Sequence, residues 1–231
     1  MSEYLDMKAI NYTGSTRVAI ELDFNKENAK VQVHQAGLPT AEHFTALPGQ
    51  YAEGSNLPLQ FPLFVKPLDT GGGKGVGNDS AVTTFLQFQQ KVAAIYSEFG
   101  SSSLVESYLT GREFSVAILG NGSADELIVM PIELVTEENE AGHRILGDQV
   151  KSDDTERAIA EDDIRSMVIE LAKNIYQTLG ARDLGRIDIR MDAAGKPHFL
   201  EANLVPGLAD NDFVSYFNRA CQINEGIDYK I

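Results

Sequence analysis

The chain contains 231 residues, of which 43% are hydrophobic and 23% charged, as expected for one large or two smaller globular domains. Its formal net charge of −15 disfavours nucleic acid as a partner, because phosphate backbones require basic faces. No apolar run approaches the roughly 20 residues of a membrane helix, and a single cysteine, Cys221, excludes an intrachain disulfide, so we expect no membrane partner and a cytoplasmic location.

The first predicted elements surround a glycine-rich loop. Residues 1–22 lack a convincing hydrophobic periodicity and are interpreted as a lead-in segment before the first regular element. Asn25 is a candidate N-cap for a helix that ends near Gly37. Residues 61–66 predict a strand, and Ser80 is a candidate cap for the helix that follows the loop.

The second half predicts strands at 104–108, 114–119 and 127–135, followed by a polar, mobile loop at 136–154. The clearest helix ends at Gly180. Its apolar stripe consists of Ile164, Met167, Val168, Leu171, Ile175 and Leu179. Two more strands, 184–191 and 198–203, form a hairpin. This order of elements predicts an α+β fold with largely antiparallel sheets.

The hairpin carries polar side chains on one face of each strand. Alternation places Arg186, Asp188 and Arg190 together, and likewise Phe199, Glu201 and Asn203. If the turn is centred between residues 194 and 195, Asp188 lies opposite Glu201, and Arg186 lies opposite Asn203. Opposed Cβ atoms are only about 5 Å apart.

Two carboxylates at that separation repel each other unless a cation lies between them. Mg²⁺ prefers hard oxygen ligands and commonly takes one or two carboxylates plus phosphates. Asp188 and Glu201, with the amide oxygen of Asn203, form a candidate magnesium site, and Arg186 adds positive charge beside a phosphate. The alternative is a solvated strand face, and spacing does not decide between the two.

The segment 69–77 contains five glycines and follows a strand that carries Lys66. Glycines let backbone N–H groups approach phosphate oxygens closely, and Lys66 and Lys74 supply positive charge. The Walker pattern is absent because Gly75, not Ser or Thr, follows Lys74. A phosphate cradle and a flexible surface loop both remain open from the loop alone.

Four ordered motifs resemble those of the D-alanine–D-alanine ligases, an ATP-grasp family. The motifs are FPLFVKP (61–67), LVESYLTGREFSV (104–116), GRID (185–188) and LEANLVPG (200–207). The resemblance implies an ATP-grasp fold in which two α+β subdomains hold ATP between them. We expect a linker at 1–22, a central subdomain at 23–103 and a C-terminal subdomain at 104–231.

The resemblance also implies a set of ATP-binding residues: Lys26, Lys66, Gly72, Gly73, Lys74, Glu106, Ser107, Tyr108, Leu109 and Glu113. Lys26 and Lys66 would contact phosphates, and the loop 71–77 would close over them. Backbone groups of 106–109 would bind adenine, while Glu113 would accept the ribose hydroxyls.

The remaining implied roles concern metal, catalysis and substrate. Asp188, Glu201 and Asn203 match magnesium ligands, with Mn²⁺ as an alternative metal. Arg186 and Lys151 are the expected catalytic cations. Gly207 and Asp212 are the candidate substrate residues.

The implied chemistry is ATP-dependent activation of a carboxylate to an acyl phosphate, which an amine then attacks. Small amino acids or peptides are the expected substrates, and a homodimer is an open alternative. Three departures from the family pattern leave the identity of the substrate open. The family's N-terminal domain is missing, so a fragment is expected. The glycine loop lacks a Gly-Ser-Ser stretch, and Asp212 replaces a serine. Another ATP-grasp ligase and a non-catalytic MgATP-binding module are therefore alternatives.

Overall fold

The computed structural model describes residues 2–121, 123, 126–147, 155–208 and 215–227. Six helices occur in these ranges: α1 (Ser2–Met7), α2 (Arg17–Phe24), α3 (Lys26–Gln35), α4 (Phe85–Phe99), α5 (Asp163–Thr178) and α6 (Tyr216–Glu225). The same ranges contain nine strands: β1 (His43–Ala46), β2 (Leu63–Pro67), β3 (Ala81–Val82), β4 (Ser103–Ser107), β5 (Glu113–Gly120), β6 (Ile128–Val135), β7 (Thr155–Ala158), β8 (Asp183–Met191) and β9 (Pro197–Asn203).

These strands form two sheets. The first has four strands in the order β1-β4-β2-β3, and the second has five in the order β7-β6-β5-β8-β9. All strand pairs within both sheets are antiparallel. The predicted α+β class with antiparallel sheets is therefore confirmed.

Helix α4 packs on the four-stranded sheet. Its buried side chains Phe88, Val92 and Ile95 share one hydrophobic cluster with Leu63 and Val65 of β2. Apolar side chains on one stripe of a helix and on one face of a sheet must be buried against each other, and this cluster does so. The opposite face of the sheet is left for polar groups, among them Lys66 and Glu106.

Thr84, and not Ser80, begins α4. The Thr84 side chain accepts a hydrogen bond from the Gln87 N–H, and the Gln87 side chain accepts one from the Thr84 N–H, which completes a capping box. Ser80 instead accepts a hydrogen bond from the Gly77 N–H. The predicted cap was wrong because the short strand β3 comes between the glycine loop and the helix.

The five-stranded sheet is covered on both faces. Helix α5 packs on one face, and its buried residues are Val168, Leu171, Ala172, Ile175 and Tyr176. Helix α6 packs on the other face through Phe217, Ala220 and Cys221. The helix α5 was predicted correctly, except that Met167 is 40% exposed and lies outside the buried stripe.

The start of the chain differs from the prediction of a lead-in. Residues 2–7 and 17–24 are helical, and Thr16 caps α2 by accepting a hydrogen bond from the Ala19 N–H. Asn25 caps α3 as predicted, by accepting a hydrogen bond from the Asn28 N–H. The short strands β1 and β7 were also missed, because four residues give too little periodicity to recognise.

The predicted subdomain boundaries stay a prediction. β4 begins at Ser103 and pairs with β1 and β2, so the boundary proposed between 103 and 104 falls at the start of a strand in the first sheet. Among the helices of the described ranges, none has the length and apolar character that crossing a membrane requires.

Candidate functional site

In the part of the hairpin β8–β9 that carries the polar side chains, the register agrees with the sequence prediction. Asp188 pairs with Glu201, and Arg186 pairs with Asn203. Between Asp188 and Ile189 the register shifts by one residue, since Ile189 pairs with Phe199. One extra residue on β9 reverses the alternation there, as a β-bulge does.

This bulge corrects the predicted face of Phe199. Its ring is completely buried in the core with Ala202, whereas Glu201 faces the cleft between the sheets. Phe199 therefore does not share a face with Glu201 and Asn203. The bulge allows β9 to place an apolar ring in the core and an acid in the cleft within three residues.

Asp188 lies in a dense set of hydrogen bonds. Ser115 on β5 donates to Oδ1 at 2.7 Å. The guanidinium of Arg186 donates through Nε to Oδ1 at 3.0 Å and through Nη2 to Oδ2 at 2.8 Å. The amide of Asn203 lies 3.4 Å from Oδ2. Three predicted site residues are thus brought together, with Ser115 as a partner that the sequence did not suggest.

A second buried acid, Glu106, is held by two lysines. Nζ of Lys30 lies 2.5 Å from Oε1, and Nζ of Lys66 lies 2.8 Å from Oε2. Burial alone would raise the pKa of Glu106, but the two ammonium groups outweigh it and lower the pKa to about 2. Glu106 is therefore ionised between the two lysines.

Lys30 was missed by the sequence analysis. It lies on α3 between the buried residues Ala29 and Val33, and its side chain is fully buried. Its Nζ also donates to the Thr40 hydroxyl at 3.0 Å. A lysine on the apolar stripe of a helix is a signal that could have been used, because lysine is rarely buried without a partner.

Glu201 lies at the edge of this cluster, with Oε2 3.9 Å from Nζ of Lys66. Burial would raise its pKa, but Lys66, Lys26 and Arg186 lower it more strongly. Asp23 is a further acid nearby. Burial raises the pKa of Asp23 to about 6, although its carboxylate accepts a hydrogen bond from the Leu204 N–H.

At the other end of the site, Glu113 pairs with Arg190. Nη1 of Arg190 donates to Oε2 of Glu113 at 3.1 Å. Burial raises the pKa of Glu113 to about 7, against the lowering effect of Arg190. Arg190 was predicted to share the polar face of β8, but no role was assigned to it.

The cleft between the sheets is lined by the Glu106–Lys66 pair, by Asp188 and Glu201, and by the glycine loop. The predicted residues that line this cleft are Lys66, Gly73, Glu106, Ser107, Tyr108, Leu109, Glu113, Asp188 and Glu201. The apolar part of its lining consists of Ala41, Phe64, Val76, Leu146 and Leu200. A cleft with apolar walls and a few convergent charged groups is the usual form of a small-molecule site.

The glycine loop is fixed at Gly75 and Val76. Gly75 has a φ of +77°, and a Cβ there would lie 2.6 Å from Cγ of Pro67. Gly147, in the segment 136–147, approaches the loop so closely that a Cβ would lie 2.5 Å from the Val76 carbonyl oxygen. The loop therefore contacts Pro67, at the end of β2, and Gly147, in the segment 136–147.

Several predicted residues do not line the cleft. Nζ of Lys26 donates to the carbonyl oxygens of Leu68 and Thr70, so it holds the start of the glycine loop. Gly72, Lys74 and Gly207 are exposed. Lys151 and Asp212 lie outside the described residues.

The donor set on the hairpin suits a hard cation. Asp188 and Glu201 supply carboxylate oxygens at paired positions, and Asn203 adds an amide. No group of three or more His, Cys, Asp or Glu side chains able to hold a metal occurs in the described ranges, so a metal here would need ligands from outside the protein as well. Mg²⁺ commonly completes its shell with phosphate oxygens and water. An anionic, phosphate-bearing ligand and a divalent cation therefore fit the same cleft.

Comparisons with known proteins agree with this geometry. The family model described as "D-ala D-ala ligase C-terminus" matches residues 32–231. A D-alanine–D-alanine ligase of Bordetella petrii is 32% identical over 215 residues, which cover 91% of this chain and 63% of the relative. One from Ectopseudomonas mendocina is 29% identical and is covered over 69% of its length. The chain thus spans about two thirds of the length of these curated relatives.

Two solved structures have the same fold. A D-alanine–D-alanine ligase from Bacillus anthracis complexed with ATP has a TM-score of 0.76 at 19% identity, over 99% of this chain and 69% of that one. The VanG D-Ala:D-Ser ligase from Enterococcus faecalis has a TM-score of 0.73 at 21% identity, over 99% and 64%. With its ATP-grasp fold and a family model that matches most of its length, the chain belongs to the D-alanine–D-alanine ligase C-terminal family.

Proposed function

We propose that this chain is the nucleotide- and metal-binding part of an ATP-dependent carboxylate–amine ligase. The observation that carries the proposal is the single cleft in which the Glu106–Lys66 pair, the Asp188–Glu201 pair and the glycine loop all meet. Membership of the ligase family supports the reaction class. Because ATP is a cytoplasmic nucleotide, the proposed ATP-dependent reaction also implies a cytoplasmic location.

The adenosine end of the nucleotide is assigned to the wall formed by residues 106–109 and 113. Leu109 and Leu200 line this part of the cleft and offer apolar surface to a purine ring. Backbone groups of 106–109 would read the edge of the base, and the Glu113 carboxylate would accept the ribose hydroxyls. Glu113 is largely buried and its Oε2 accepts a hydrogen bond from Arg190, which leaves Oε1 to accept from a hydroxyl partner.

The phosphates are assigned to the end where Lys66 and the glycine loop meet. Lys66 is buried, and burial opposes its charge, but Glu106 and Glu201 raise its pKa above the ordinary value. It is therefore a fixed cation facing the cleft. Lys26 acts by holding the carbonyl oxygens at the start of the loop, whose N–H groups would then face phosphate oxygens.

Mg²⁺ would bind between Asp188, Glu201 and Asn203, with Mn²⁺ as the alternative, and when bound it would neutralise phosphate charge. Arg186 lies beside these ligands and donates to both Asp188 oxygens, which orients that carboxylate. Its guanidinium is the cation available to a transferring phosphoryl group. Preorganised charge of this kind is the main catalytic resource in phosphoryl transfer.

The proposed reaction proceeds in two steps. A carboxylate oxygen of the first substrate attacks the γ-phosphorus of ATP, ADP leaves, and an acyl phosphate forms. The amine of the second substrate then attacks the acyl carbon, inorganic phosphate leaves, and an amide bond results. Amino acids or short peptides are the proposed substrates. Lys151, Gly207 and Asp212 keep their proposed roles in catalysis and substrate binding.

Calorimetric titration with a nonhydrolysable ATP analogue, with and without Mg²⁺, tests this proposal. We expect binding that Mg²⁺ strengthens. Glu201→Gln removes one carboxylate ligand and should reduce the Mg²⁺-dependent gain by about tenfold or more, the effect of losing one interaction with a charged group. Arg157→Met changes an exposed residue that does not line the cleft and serves as the control.

Equal affinity with and without Mg²⁺ in the wild-type chain would argue against the metal site. Equal Mg²⁺ dependence in wild type and Glu201→Gln would remove Glu201 from it. Absence of any binding would contradict the nucleotide site itself.

A further inference from the structure

Arg190 is the most highly connected side chain at the adenosine end of the cleft, and the proposed function gives it no role. It is only 6% exposed and lines the cleft. Its Nη1 donates to Glu113, while Nη2 donates to the Tyr108 hydroxyl at 3.2 Å and to the Arg144 carbonyl at 2.8 Å. Its guanidinium also lies 5.1 Å from the centre of the Tyr108 ring.

These contacts join three separate segments of the chain. Glu113 begins β5, Tyr108 follows β4, and Arg144 belongs to the segment 136–147. The Tyr108 hydroxyl strengthens the junction, because it also accepts a hydrogen bond from the Arg144 N–H. A planar guanidinium fixes both the distance and the angle of the groups that it binds, which a lysine ammonium does not.

Hydrogen-bonding capacity remains unused on both members of the ion pair. Nε of Arg190 is buried and has no hydrogen-bond partner within the described ranges. On Glu113 the contact with Arg190 is made by Oε2, which leaves Oε1 for a ligand. Because Nε is enclosed by protein while the Glu113 side chain is partly exposed in the cleft, the free oxygen of Glu113 is the group that a ligand can use.

We propose that Arg190 is a positioning residue for the sugar of the bound nucleotide. It holds the Glu113 carboxylate through Oε2 so that Oε1 accepts the vicinal hydroxyls of the ribose. This inference rests on the proposed function, because it concerns the same cleft. According to this inference, the Arg190–Glu113 pair is what makes the site prefer a ribose with free 2′ and 3′ hydroxyls.

The test compares MgADP with its 2′,3′-dideoxy analogue, which lacks only the two hydroxyls. Both are titrated calorimetrically into wild type, Arg190→Met and the control Arg157→Met. Arg157→Met also removes an arginine–glutamate pair from the same sheet, but its side chain is exposed and does not line the cleft.

We expect wild type and Arg157→Met to bind MgADP about tenfold or more tightly than the dideoxy analogue. In Arg190→Met the ratio of the two affinities should fall toward one, while affinity for the dideoxy analogue stays within about threefold of wild type. If Arg190 had only a structural role, Arg190→Met would weaken the binding of both nucleotides by the same factor. The ratio of the two affinities would then be unchanged, which would overturn the inference.

Two further results separate this inference from the proposed function. If wild type binds both nucleotides equally, the sugar is not read and the inference fails, while the nucleotide site stands. If wild type binds neither nucleotide, both fail. Circular dichroism checks the fold of each variant. If Arg190→Met does not fold, Arg190→Lys is used for the same comparison. Its affinity ratio is then expected to lie between the wild-type ratio and one.

Discussion

Glu106 occupies the floor of the cleft, where burial would normally neutralise a carboxyl group. The two lysines from α3 and β2 prevent this, and Lys66, which lines the cleft, is a cation that suits a phosphate ligand. An ion pair of this kind costs desolvation energy and gives little net stability, but removal of one member leaves an unpaired buried charge. The arrangement therefore favours ligand binding more than folding.

Replacement of Glu106 with Gln should destabilise the fold by roughly 3–5 kcal/mol at pH 7, because two buried ammonium groups lose their counterion. The folded-state pKa of about 2 lies below the ordinary value of 4.5, so the stabilisation is present above about pH 4.5 and is lost as the pH falls toward 2. The shift corresponds to about 3 kcal/mol.

Urea unfolding of wild type and Glu106→Gln at several pH values measures this effect. The stability difference should narrow between pH 5 and pH 3, whereas Glu98→Gln, an exposed change on α4, should follow wild type throughout. A difference that stays constant with pH would show that Glu106 is not ionised through its pairing with the lysines.

Individual residues show what the sequence could and could not predict. Alternation along β8 correctly placed Arg186, Asp188 and Arg190 on one face, because that strand is regular. It failed for Phe199, because a bulge changes the alternation without a signal in the sequence. The ion pair between Lys30 and Glu106 joins residues 76 positions apart, and only the tertiary fold brings such residues together.

The glycine loop is the element whose sequence is most closely tied to its geometry. Gly75 combines a left-handed backbone with close packing, since a Cβ would meet both Pro67 and the Phe99 ring. Gly71 has neither constraint, because no atom lies within 4 Å of its would-be Cβ and its φ is not in the left-handed region. The two positions therefore form a matched pair for mutation.

Gly75→Ala should displace the loop and lower the affinity for the nonhydrolysable ATP analogue by about tenfold, with a loss of stability of about 1–3 kcal/mol from backbone strain. Gly71→Ala should leave both quantities nearly unchanged. Calorimetry and urea unfolding of the two variants provide the comparison. Equal effects at the two positions would indicate that the geometry of Gly75 is irrelevant to binding.

Among the helices and strands, the sequence predicted the long ones correctly and missed the short ones. Helix α5 and the hairpin β8–β9 have enough residues for a clear period, and their bounds differ from the prediction by one or two residues. β1, β3 and β7 contain four, two and four residues, so their strand state depends on pairing with a neighbour. The cap of α4 was misassigned for the same reason, since Ser80 precedes β3.

At the scale of the whole molecule, the cleft proposed as the nucleotide site lies between two sheets, each with its own hydrophobic cluster. Lys66 and Glu106 come from the first sheet, while Glu113, Asp188 and Glu201 come from the second. A nucleotide in the cleft would contact both sheets and bind only the folded chain. The net charge of −15 opposes a polyphosphate, so a divalent cation should matter for the molecule as a whole.

Thermal unfolding should reflect this linkage. At a concentration about 100 times its Kd, an ATP analogue stabilises the folded state by about 2.7 kcal/mol, which corresponds to about 5–10 °C in Tm for a chain of this size. We expect this shift with Mg²⁺ and a much smaller one without it, and Glu201→Gln should reduce the difference. A shift independent of Mg²⁺ would count against a metal between Asp188 and Glu201.

The close approach of Gly147 to the Val76 carbonyl has a consequence for the timing of ligand exchange. The glycine loop and the segment 136–147 both line the cleft, and their backbones touch without an intervening side chain. Because these backbones are in contact, a displacement of the loop at Val76 requires a displacement at Gly147 as well. We therefore expect nucleotide arrival and departure to share one rate-determining motion, so that a bulkier residue at 147 would speed both.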